Sequence, residues 1–310
     1  MGMLWNCLLL LAGFVLLIKG ADFFVDGSSG VARLLRVPSV VIGLTVVAMG
    51  TSLPEASVSI TAGLSGNNGL SLGNVIGSNI FNLMVVACLC AIMMGFIPDK
   101  ELMVRDFPVC IGASALLVFF MWDGQVSRLE GAVMLALMVA YIAVTVVQAL
   151  HARTPEEEGE KISLIKCLAL IVVGMAAIIW GGELVVDSAS AIAGALGLSQ
   201  TLIGLTIVAV GTSLPELATS VVAAKKGESG LALGNAIGSC IFNILFILGA
   251  SSLLSPLQNA QGLLVDGVVM TVLTAILFVW CRIKGRMTKA MGMAGLLAYL
   301  AYMMYLIVNA

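Results

Sequence analysis

The chain contains one hexapeptide twice, and in both copies a glutamate directly follows a proline. Gly50-Thr51-Ser52-Leu53-Pro54-Glu55 recurs unchanged as Gly211-Thr212-Ser213-Leu214-Pro215-Glu216, each within an apolar run long enough to cross a bilayer. A charged side chain at that depth costs about 2.5–3.5 kcal/mol on insertion scales, and proline removes a backbone hydrogen bond from a helix. Two identical copies of so costly a combination indicate a functional site for a cation.

The residues around each proline offer oxygen ligands. Because Pro54 cannot donate a hydrogen bond to the carbonyl of Gly50, we expect the helix to open there and to free nearby carbonyl groups. Carbonyl, hydroxyl and carboxylate oxygens are hard ligands that suit Na⁺ and Ca²⁺ and do not suit zinc or copper. The predicted ligands are Ala48, Thr51, Ser52 and Glu55 in the first copy, and Ala209, Thr212, Ser213 and Glu216 in the second.

A second duplicated motif ends 27 residues beyond each glutamate. Gly-Asn-x-Ile-Gly-Ser-x-Ile-Phe-Asn ends at Asn82 in the first copy and at Asn243 in the second. Ser78 and Asn82 are four residues apart and share a helix face, as do Ser239 and Asn243. Polar residues at membrane depth favour ligation or support of the ion site; the alternative is that the amides merely bridge helices. The motif's glycines are typical of close helix packing: Gly73, Gly77, Gly234 and Gly238.

The composition is that of a polytopic membrane protein. Of 310 residues, 60% are hydrophobic and 10% are charged, and the mean hydropathy is +1.12. Apolar runs of about 17–25 residues are the length of a transmembrane helix. They lie near 3–19, 39–64, 70–96, 107–122, 129–150, 164–181, 200–224, 230–254, 263–281 and 291–308. We therefore expect an all-α fold with ten transmembrane helices, the first of them a retained span and not a signal peptide.

The two halves of the chain are copies of each other. A shift of 161 residues aligns 20–82 with 181–243 without a gap. This period is far longer than that of a solenoid repeat, so it predicts two homologous halves. Since five spans per half is an odd number, the second half must enter the membrane from the opposite side. The predicted organisation is a first repeat at 1–150, a cytoplasmic linker at 151–163 and a second, inverted repeat at 164–310.

The basic residues support this inversion, because cytoplasmic loops collect Lys and Arg. With the N-terminus outside, only Arg128 falls plainly in an outer loop. At equivalent positions of the two halves, a basic residue is present only in the half where the predicted topology places that position in the cytoplasm. Arg33 and Arg36 align with Gly194 and Gly197, and Lys225 and Lys226 align with Leu64 and Ser65. We therefore predict a multi-pass protein of the cell (inner) membrane with both termini extracytoplasmic.

Several other functions are disfavoured by the residue types present. His151 is the only histidine, and the seven cysteines form no CxxC pair, which argues against a histidine metal site or a catalytic triad. An intramembrane metalloenzyme is therefore disfavoured. We expect no cofactor, no nucleic-acid partner and no obligate protein partner; the expected partners are the lipid bilayer and transported ions.

Two acidic residues lie near one end of the long first helix of each half, the cytoplasmic end in the first half and the outer end in the second. Asp22 and Asp26 align with Glu183 and Asp187, and each pair falls on one helix face. The pairs could draw cations toward the entrances of the site. The alternative is that they reach the membrane interface or hydrogen-bond near helix ends.

Together the two duplicated motifs resemble the alpha repeats of the cation/calcium exchanger superfamily, specifically its prokaryotic sodium/calcium antiporters. The similarity covers nearly the whole chain. It implies ten helices and four ion sites in a diamond, with Glu55 and Glu216 binding Ca²⁺ together with the carbonyls of Thr51 and Thr212. Sodium sites would be completed by Ala48, Ala209, Ser52, Ser213, Ser78 and Ser239, and the middle site would be lined by Asn82 and Asn243.

Two positions depart from this resemblance or from the internal repeat. Potassium-dependent members of the superfamily carry Asp where this chain has Asn243, so dependence on potassium is disfavoured. Cys240 stands where the first repeat has Asn79, which we interpret as a change in local packing.

The expected function is exchange of Ca²⁺ for Na⁺ by alternating access at a site near the membrane midplane. Inverted repeats bring their broken helices together there. The nearest alternative is a Ca²⁺/H⁺ antiporter in which protons occupy the carboxylates. An ion channel is a third possibility, and it would conduct without saturation by a counter-ion.

Overall fold

The structure, a computed structural model, describes residues 3–151, 163–197 and 209–309, and these are almost entirely helical. In the first half the helices are α1 (Met3–Leu35), α2 (Ser39–Thr51), α3 (Leu53–Leu64), α4 (Asn68–Met94), α5 (Leu102–Asp123) and α6 (Arg128–His151). In the second half they are α7 (Leu164–Ala195), α8 (Ala209–Gly211), α9 (Leu214–Lys225), α10 (Ser229–Leu254), α11 (Ala260–Lys284) and α12 (Lys289–Asn309).

Eight of the described helices are long and apolar enough to cross a membrane, and α2 with α3 forms a ninth candidate if the bent pair is one span. The protein is therefore an all-helical membrane protein with eight or nine candidate spans in its described residues. Nine of the predicted apolar runs coincide with these helices. The remaining run, 200–224, is described only from Ala209 onward.

Helices α1 and α7 extend beyond the apolar runs that predicted them. The runs end near residues 19 and 181, whereas the helices continue to Leu35 and Ala195. In α1 the polar residues Lys19, Asp22 and Asp26 interrupt the apolar run but not the helix. Hydropathy therefore located these two helices but did not give their full length.

The contact between α1 and α7 brings two helix backbones together. A Cβ atom added to Gly20 would lie 2.8 Å from the backbone nitrogen of Ile178, and one added to Gly174 would lie 2.6 Å from the backbone nitrogen of Phe24. Glycines make this contact at every second turn of an antiparallel crossing: Gly13, Gly20 and Gly27 on α1, and Gly174 and Gly181 on α7. Such spacing of small residues is a common way for membrane helices to pack closely.

Helices α4 and α10 are the most deeply buried of the candidate spans. Both change from α to π hydrogen bonding at the asparagine that ends the duplicated motif, over Asn82–Ala87 in α4 and Asn243–Leu248 in α10. Single π turns inside helices occur frequently at functional sites. The fold thus places the two motif helices at its centre, each with a local irregularity at the same position.

Two short backbone contacts between loops are equivalent to each other under the 161-residue shift of the internal repeat. Strand β1 (Gln125–Val126) pairs antiparallel with β2 (Leu257–Gln258), and Phe96 forms an isolated bridge with Met287. The 161-residue shift converts Phe96 into Leu257 and Val126 into Met287. The contact between Val126 and Leu257 therefore becomes the contact between Met287 and Phe96, as expected for two halves related by a two-fold axis.

Candidate functional site

Both copies of the hexapeptide break a helix at the predicted place. Helix α2 ends at Thr51 and α3 begins at Leu53, with a bend of 51° between them. Helix α8 likewise ends at Gly211, before α9 begins at Leu214. In each copy the proline lies in the first turn of the second helix, where its missing N–H is tolerated. The backbone angles at the breaks nearly coincide: φ −85°, ψ 10° at Ser52 and φ −92°, ψ 6° at Ser213.

The two glutamates are hydrogen-bonded across the internal repeat. Ser52 Oγ donates to Glu216 Oε1 at 2.8 Å, and Ser213 Oγ donates to Glu55 Oε1 at 3.1 Å. All four residues are fully buried. Each carboxylate is thus held by the serine of the opposite hexapeptide, so the two broken helices face each other.

A second pair of serines reaches the same carboxylate oxygens. Ser78 Oγ lies 3.5 Å from Glu55 Oε1, and Ser239 Oγ lies 3.4 Å from Glu216 Oε1. The other oxygen of each carboxylate, Oε2, is buried and has no hydrogen-bond partner among the residues that the structure describes. A buried charged group without partners is costly. One oxygen of each glutamate is therefore positioned by the protein, and the other remains available to a ligand.

The threonines of the hexapeptides are bound to asparagines of the opposite repeat. Thr51 Oγ1 donates to Asn235 Oδ1 at 3.0 Å, while Asn235 Nδ2 donates to the backbone oxygen of Glu216 at 3.2 Å and to Ser220 Oγ at 2.9 Å. The first repeat has the same arrangement, formed by Thr212, Asn74, Glu55 and Ser59. Asn74 and Asn235 are not among the ligands predicted from the sequence, although their position in the duplicated motif could have indicated them.

The carbonyl oxygen of Ala48 lies beside this network. It lies 3.4 Å from Thr51 Oγ1 and 3.5 Å from Ser239 Oγ. Ala209, its counterpart, is the first residue described after 198–208.

The two asparagines that end the motifs are fully buried, but their amides are partnered differently. Asn243 Nδ2 donates to Asn79 Oδ1 at 3.0 Å, and its own Oδ1 has no hydrogen-bond partner among residues 3–151, 163–197 and 209–309. For Asn82 neither side-chain atom has a hydrogen-bond partner in the described part of the chain. Within the ranges that the structure describes, five side-chain atoms of the predicted residues are therefore buried and unpaired: Glu55 Oε2, Glu216 Oε2, Asn82 Oδ1, Asn82 Nδ2 and Asn243 Oδ1.

This arrangement can hold hard cations. It combines two carboxylates with hydroxyl, amide and carbonyl oxygens, which are the ligands of Na⁺ and Ca²⁺. Within residues 3–151, 163–197 and 209–309, no group of three or more His, Cys, Asp or Glu side chains could hold a metal. The donor set is therefore rich in neutral oxygen and poor in the nitrogen and sulfur that zinc prefers.

The acidic pair on α1 lies elsewhere and is ion-paired. Lys226 Nζ is 2.7 Å from Asp26 Oδ1 and 3.5 Å from Asp22 Oδ1, and it also donates to the backbone oxygen of Asp22 at 3.0 Å. These contacts favour the alternative in which the pair is bonded near the end of a helix. They also tie α1 to the second half of the chain.

The glycine prediction is confirmed in the second motif. A Cβ atom at Gly234 would lie 2.6 Å from the backbone oxygen of Val40, and one at Gly238 would lie 2.7 Å from Leu44 Cα. Helix α10 therefore packs closely on α2. The equivalent contacts of Gly73 and Gly77 would involve residues 201 and 205, which lie outside the described residues.

Comparison with known proteins identifies the family. The profile of a family described as sodium/calcium exchanger protein matches twice, over residues 5–147 and 166–308. The sodium/calcium exchanger MaX1 of Methanosarcina acetivorans is 32% identical, over 97% of this chain and 98% of the relative. The inner membrane protein YrbG of Escherichia coli is 35% identical, over 82% of this chain and 81% of the relative.

A solved structure has the same fold. The sodium-calcium exchanger NCX_Mj, in a structure soaked with zero Na⁺ and Ca²⁺, superposes with a TM-score of 0.88 at 34% sequence identity. The match covers 98% of this chain and 100% of the NCX_Mj chain. The duplicated profile, the full-length relatives and the shared fold all lead to one assignment: the chain belongs to the sodium/calcium exchanger family.

Proposed function

We propose that this protein is a secondary antiporter that exchanges Ca²⁺ for Na⁺ by alternating access at one site between the two halves of the chain. The observation that carries the proposal is the reciprocal bonding of Ser52 with Glu216 and of Ser213 with Glu55, which leaves one buried oxygen of each carboxylate unpaired. The relatives named as sodium/calcium exchangers support the choice of ions.

The two glutamates account for obligatory exchange. Glu55 and Glu216 together supply two negative charges, which one Ca²⁺ neutralises. Replacing that ion requires two or more Na⁺, so competition for the same carboxylates couples the two fluxes. In this proposal the carbonyls of Thr51 and Thr212 complete the calcium site. Neighbouring sodium positions use Ala48, Ala209, Ser52, Ser213, Ser78 and Ser239, and Asn82 and Asn243 line the middle one.

We further propose that the whole chain has ten transmembrane helices in two inverted repeats, 1–150 and 164–310, joined by a cytoplasmic linker at 151–163. Two sets of contacts support this arrangement, because the 161-residue shift converts each contact into its counterpart. They are the two loop contacts and the two serine–glutamate bonds. Both termini would be extracytoplasmic. The relative named as an inner membrane protein supports the location.

Alternating access would involve α1 and α7 moving together. Because their glycines bring the backbones into contact over three successive points, the first helices of the two halves form one unit that can slide across the remaining helices. The ion pair between Lys226 and Asp26 is one link that such a movement would strain.

The experiment that tests the function uses the full chain in proteoliposomes. Radioactive Ca²⁺ uptake is measured with an imposed outward Na⁺ gradient at clamped pH, and separately with an outward proton gradient and no Na⁺. We expect uptake only with the Na⁺ gradient, saturating with either ion. Uptake driven by protons alone would favour the Ca²⁺/H⁺ antiporter, and non-saturating flux would favour a channel.

The inverted topology predicts opposite labelling of equivalent positions. In a cysteine-free background, Leu64→Cys should react with an impermeant thiol reagent only from outside, and Lys225→Cys only from inside. Both side chains are exposed at the ends of equivalent helices, and neither forms the ion pair made by Lys226. Labelling of both positions from the same side would contradict the inverted repeat.

A further inference from the structure

The two asparagines that end the duplicated motifs are held differently, and the difference coincides with one substitution between the repeats. The 161-residue shift pairs Asn79 with Cys240 and Asn82 with Asn243. Asn243 donates its amide hydrogen to Asn79. The equivalent bond would run from Asn82 to residue 240, but that residue is a cysteine, and Asn82 lacks any partner among the described residues.

The backbone fixes which way Asn79 faces. Asn79 Nδ2 donates to the backbone oxygen of Cys240 at 3.1 Å. A backbone carbonyl only accepts hydrogen bonds, so the amide nitrogen of Asn79 must face it, and Oδ1 of Asn79 must face Asn243. Asn243 must then present its nitrogen to Asn79. Its carbonyl oxygen is thereby turned away from Asn79 and left unpaired.

Cys240 cannot orient the side chain of Asn82 as Asn79 orients that of Asn243. Its thiol is directed to the backbone oxygen of Asn79, at 3.7 Å, which is the counterpart of the bond that Asn79 makes to Cys240. A thiol sulfur is only a weak acceptor for an amide hydrogen. The reciprocal backbone contacts between the repeats are therefore kept, while the side-chain bond that would orient Asn82 is lost.

We propose that Asn79 is a positioning residue, which holds Asn243 with its carbonyl oxygen fixed as a cation ligand, and that Cys240 leaves Asn82 free to reorient between cations. The proposal rests on the proposed function, because it requires a cation at this site. The site would then have one fixed and one adaptable amide. A ligand that can turn allows the same position to serve ions that differ in charge and in the number of oxygens they bind.

The test replaces Asn79 and Cys240, in separate variants, with the residue found at the equivalent position of the other repeat. Cys240→Asn supplies the missing acceptor for Asn82, and Asn79→Cys removes the existing acceptor for Asn243. Cys240→Ala is the matched control, because it removes the thiol without adding an amide. The measurement is the Ca²⁺ or Na⁺ concentration that gives half of the maximal thermal stabilisation of the purified full-length protein, together with the exchange rate in proteoliposomes.

We expect Cys240→Asn to lower the half-saturating Ca²⁺ concentration by about three- to tenfold, because a side chain ordered in advance need not be immobilised on binding. Exchange should slow in the same variant, since release becomes slower. Asn79→Cys should raise the half-saturating concentration by a similar factor, and Cys240→Ala should leave it unchanged. A purely structural role would change the melting temperature without cations and leave the half-saturating concentration alone.

Several outcomes would overturn the proposal. One is an unchanged half-saturating concentration in Cys240→Asn while the wild type responds to cations, and another is an equal shift in Cys240→Ala. If Asn79→Cys does not fold, the comparison of the two Cys240 variants decides alone. If neither cation stabilises the wild-type protein, the proposed function itself is overturned. This outcome differs from failure of the positioning role, in which the wild type still responds to cations.

Discussion

Replacing either Glu55 or Glu216 with glutamine is expected to reduce Na⁺-driven Ca²⁺ uptake by at least about 100-fold. Each substitution removes one of the two negative charges proposed to hold the dehydrated Ca²⁺, and these two are the only carboxylates that meet at the hexapeptides among the described residues. A 100-fold loss corresponds to about 2.7 kcal/mol, since about 1.4 kcal/mol is a factor of ten. Folding should survive, because a glutamine oxygen can still accept the hydrogen bonds from the serines that hold each position. The folded state should even gain slightly, since one charge at membrane depth is removed.

The control for this prediction is Glu101→Gln, which makes the same chemical change at an exposed glutamate. It should transport as the wild type does. Thermal unfolding adds an independent measurement, because a ligand that binds only the folded state stabilises it by about 2.7 kcal/mol at 100 times its Kd. Ca²⁺ should therefore raise the Tm of the wild type and of Glu101→Gln but not of Glu55→Gln. Wild-type exchange by either site variant would refute the glutamate assignment.

The sequence predicted the helix breaks because the responsible residues act locally. Pro54 removes a hydrogen bond from its own helix, and an acidic residue beside it at membrane depth has few explanations other than function. The structure places the bend at Ser52, two residues before the proline. The same local reasoning located the second break, since the hexapeptide is repeated without change.

The contacts between the two repeats at the candidate site could not be predicted in this way, because they join residues 138 to 191 positions apart. Nothing near Ser52 in the chain indicates that it binds Glu216. Asn235 was also missed, although its bonds to Glu216 and Ser220 lie within its own repeat and one bond, from Thr51, crosses to the other repeat. The internal repeat was the available signal, since the 161-residue shift converts each of these bonds into its counterpart.

Cys240 shows a different limit of sequence interpretation. As a small buried residue among apolar neighbours it indicated only a change in packing. The structure shows that its counterpart, Asn79, bonds to Asn243, so the substitution removes a hydrogen bond and not merely volume. A difference between two repeats becomes informative only when the partner of the original residue is known.

The second large effect is expected at the contact between α1 and α7. Gly20→Leu should greatly reduce the yield of folded protein and abolish exchange, because even the Cβ atom would lie 2.8 Å from the backbone nitrogen of Ile178 and 2.9 Å from the backbone oxygen of Gly174. Backbone atoms cannot move aside as a flexible side chain can, so the two helices must separate. Overpacking of this kind typically costs 1–3 kcal/mol or more.

Gly112→Leu is the matched control, because it makes the same change within α5, where no described atom beyond the neighbouring backbone of that helix lies within 4 Å of the added Cβ. Size-exclusion chromatography and thermal unfolding should show a large loss for Gly20→Leu and little change for Gly112→Leu. Gly20→Ala adds only the Cβ atom, which a small separation of the helices can accommodate, whereas leucine adds three further carbon atoms at the same contact. Gly20→Ala should therefore lose less stability than Gly20→Leu and transport more slowly than the wild type, since α1 and α7 would fit less closely as one sliding unit. Normal stability and exchange in Gly20→Leu would mean that this backbone contact is not needed for the fold or for transport.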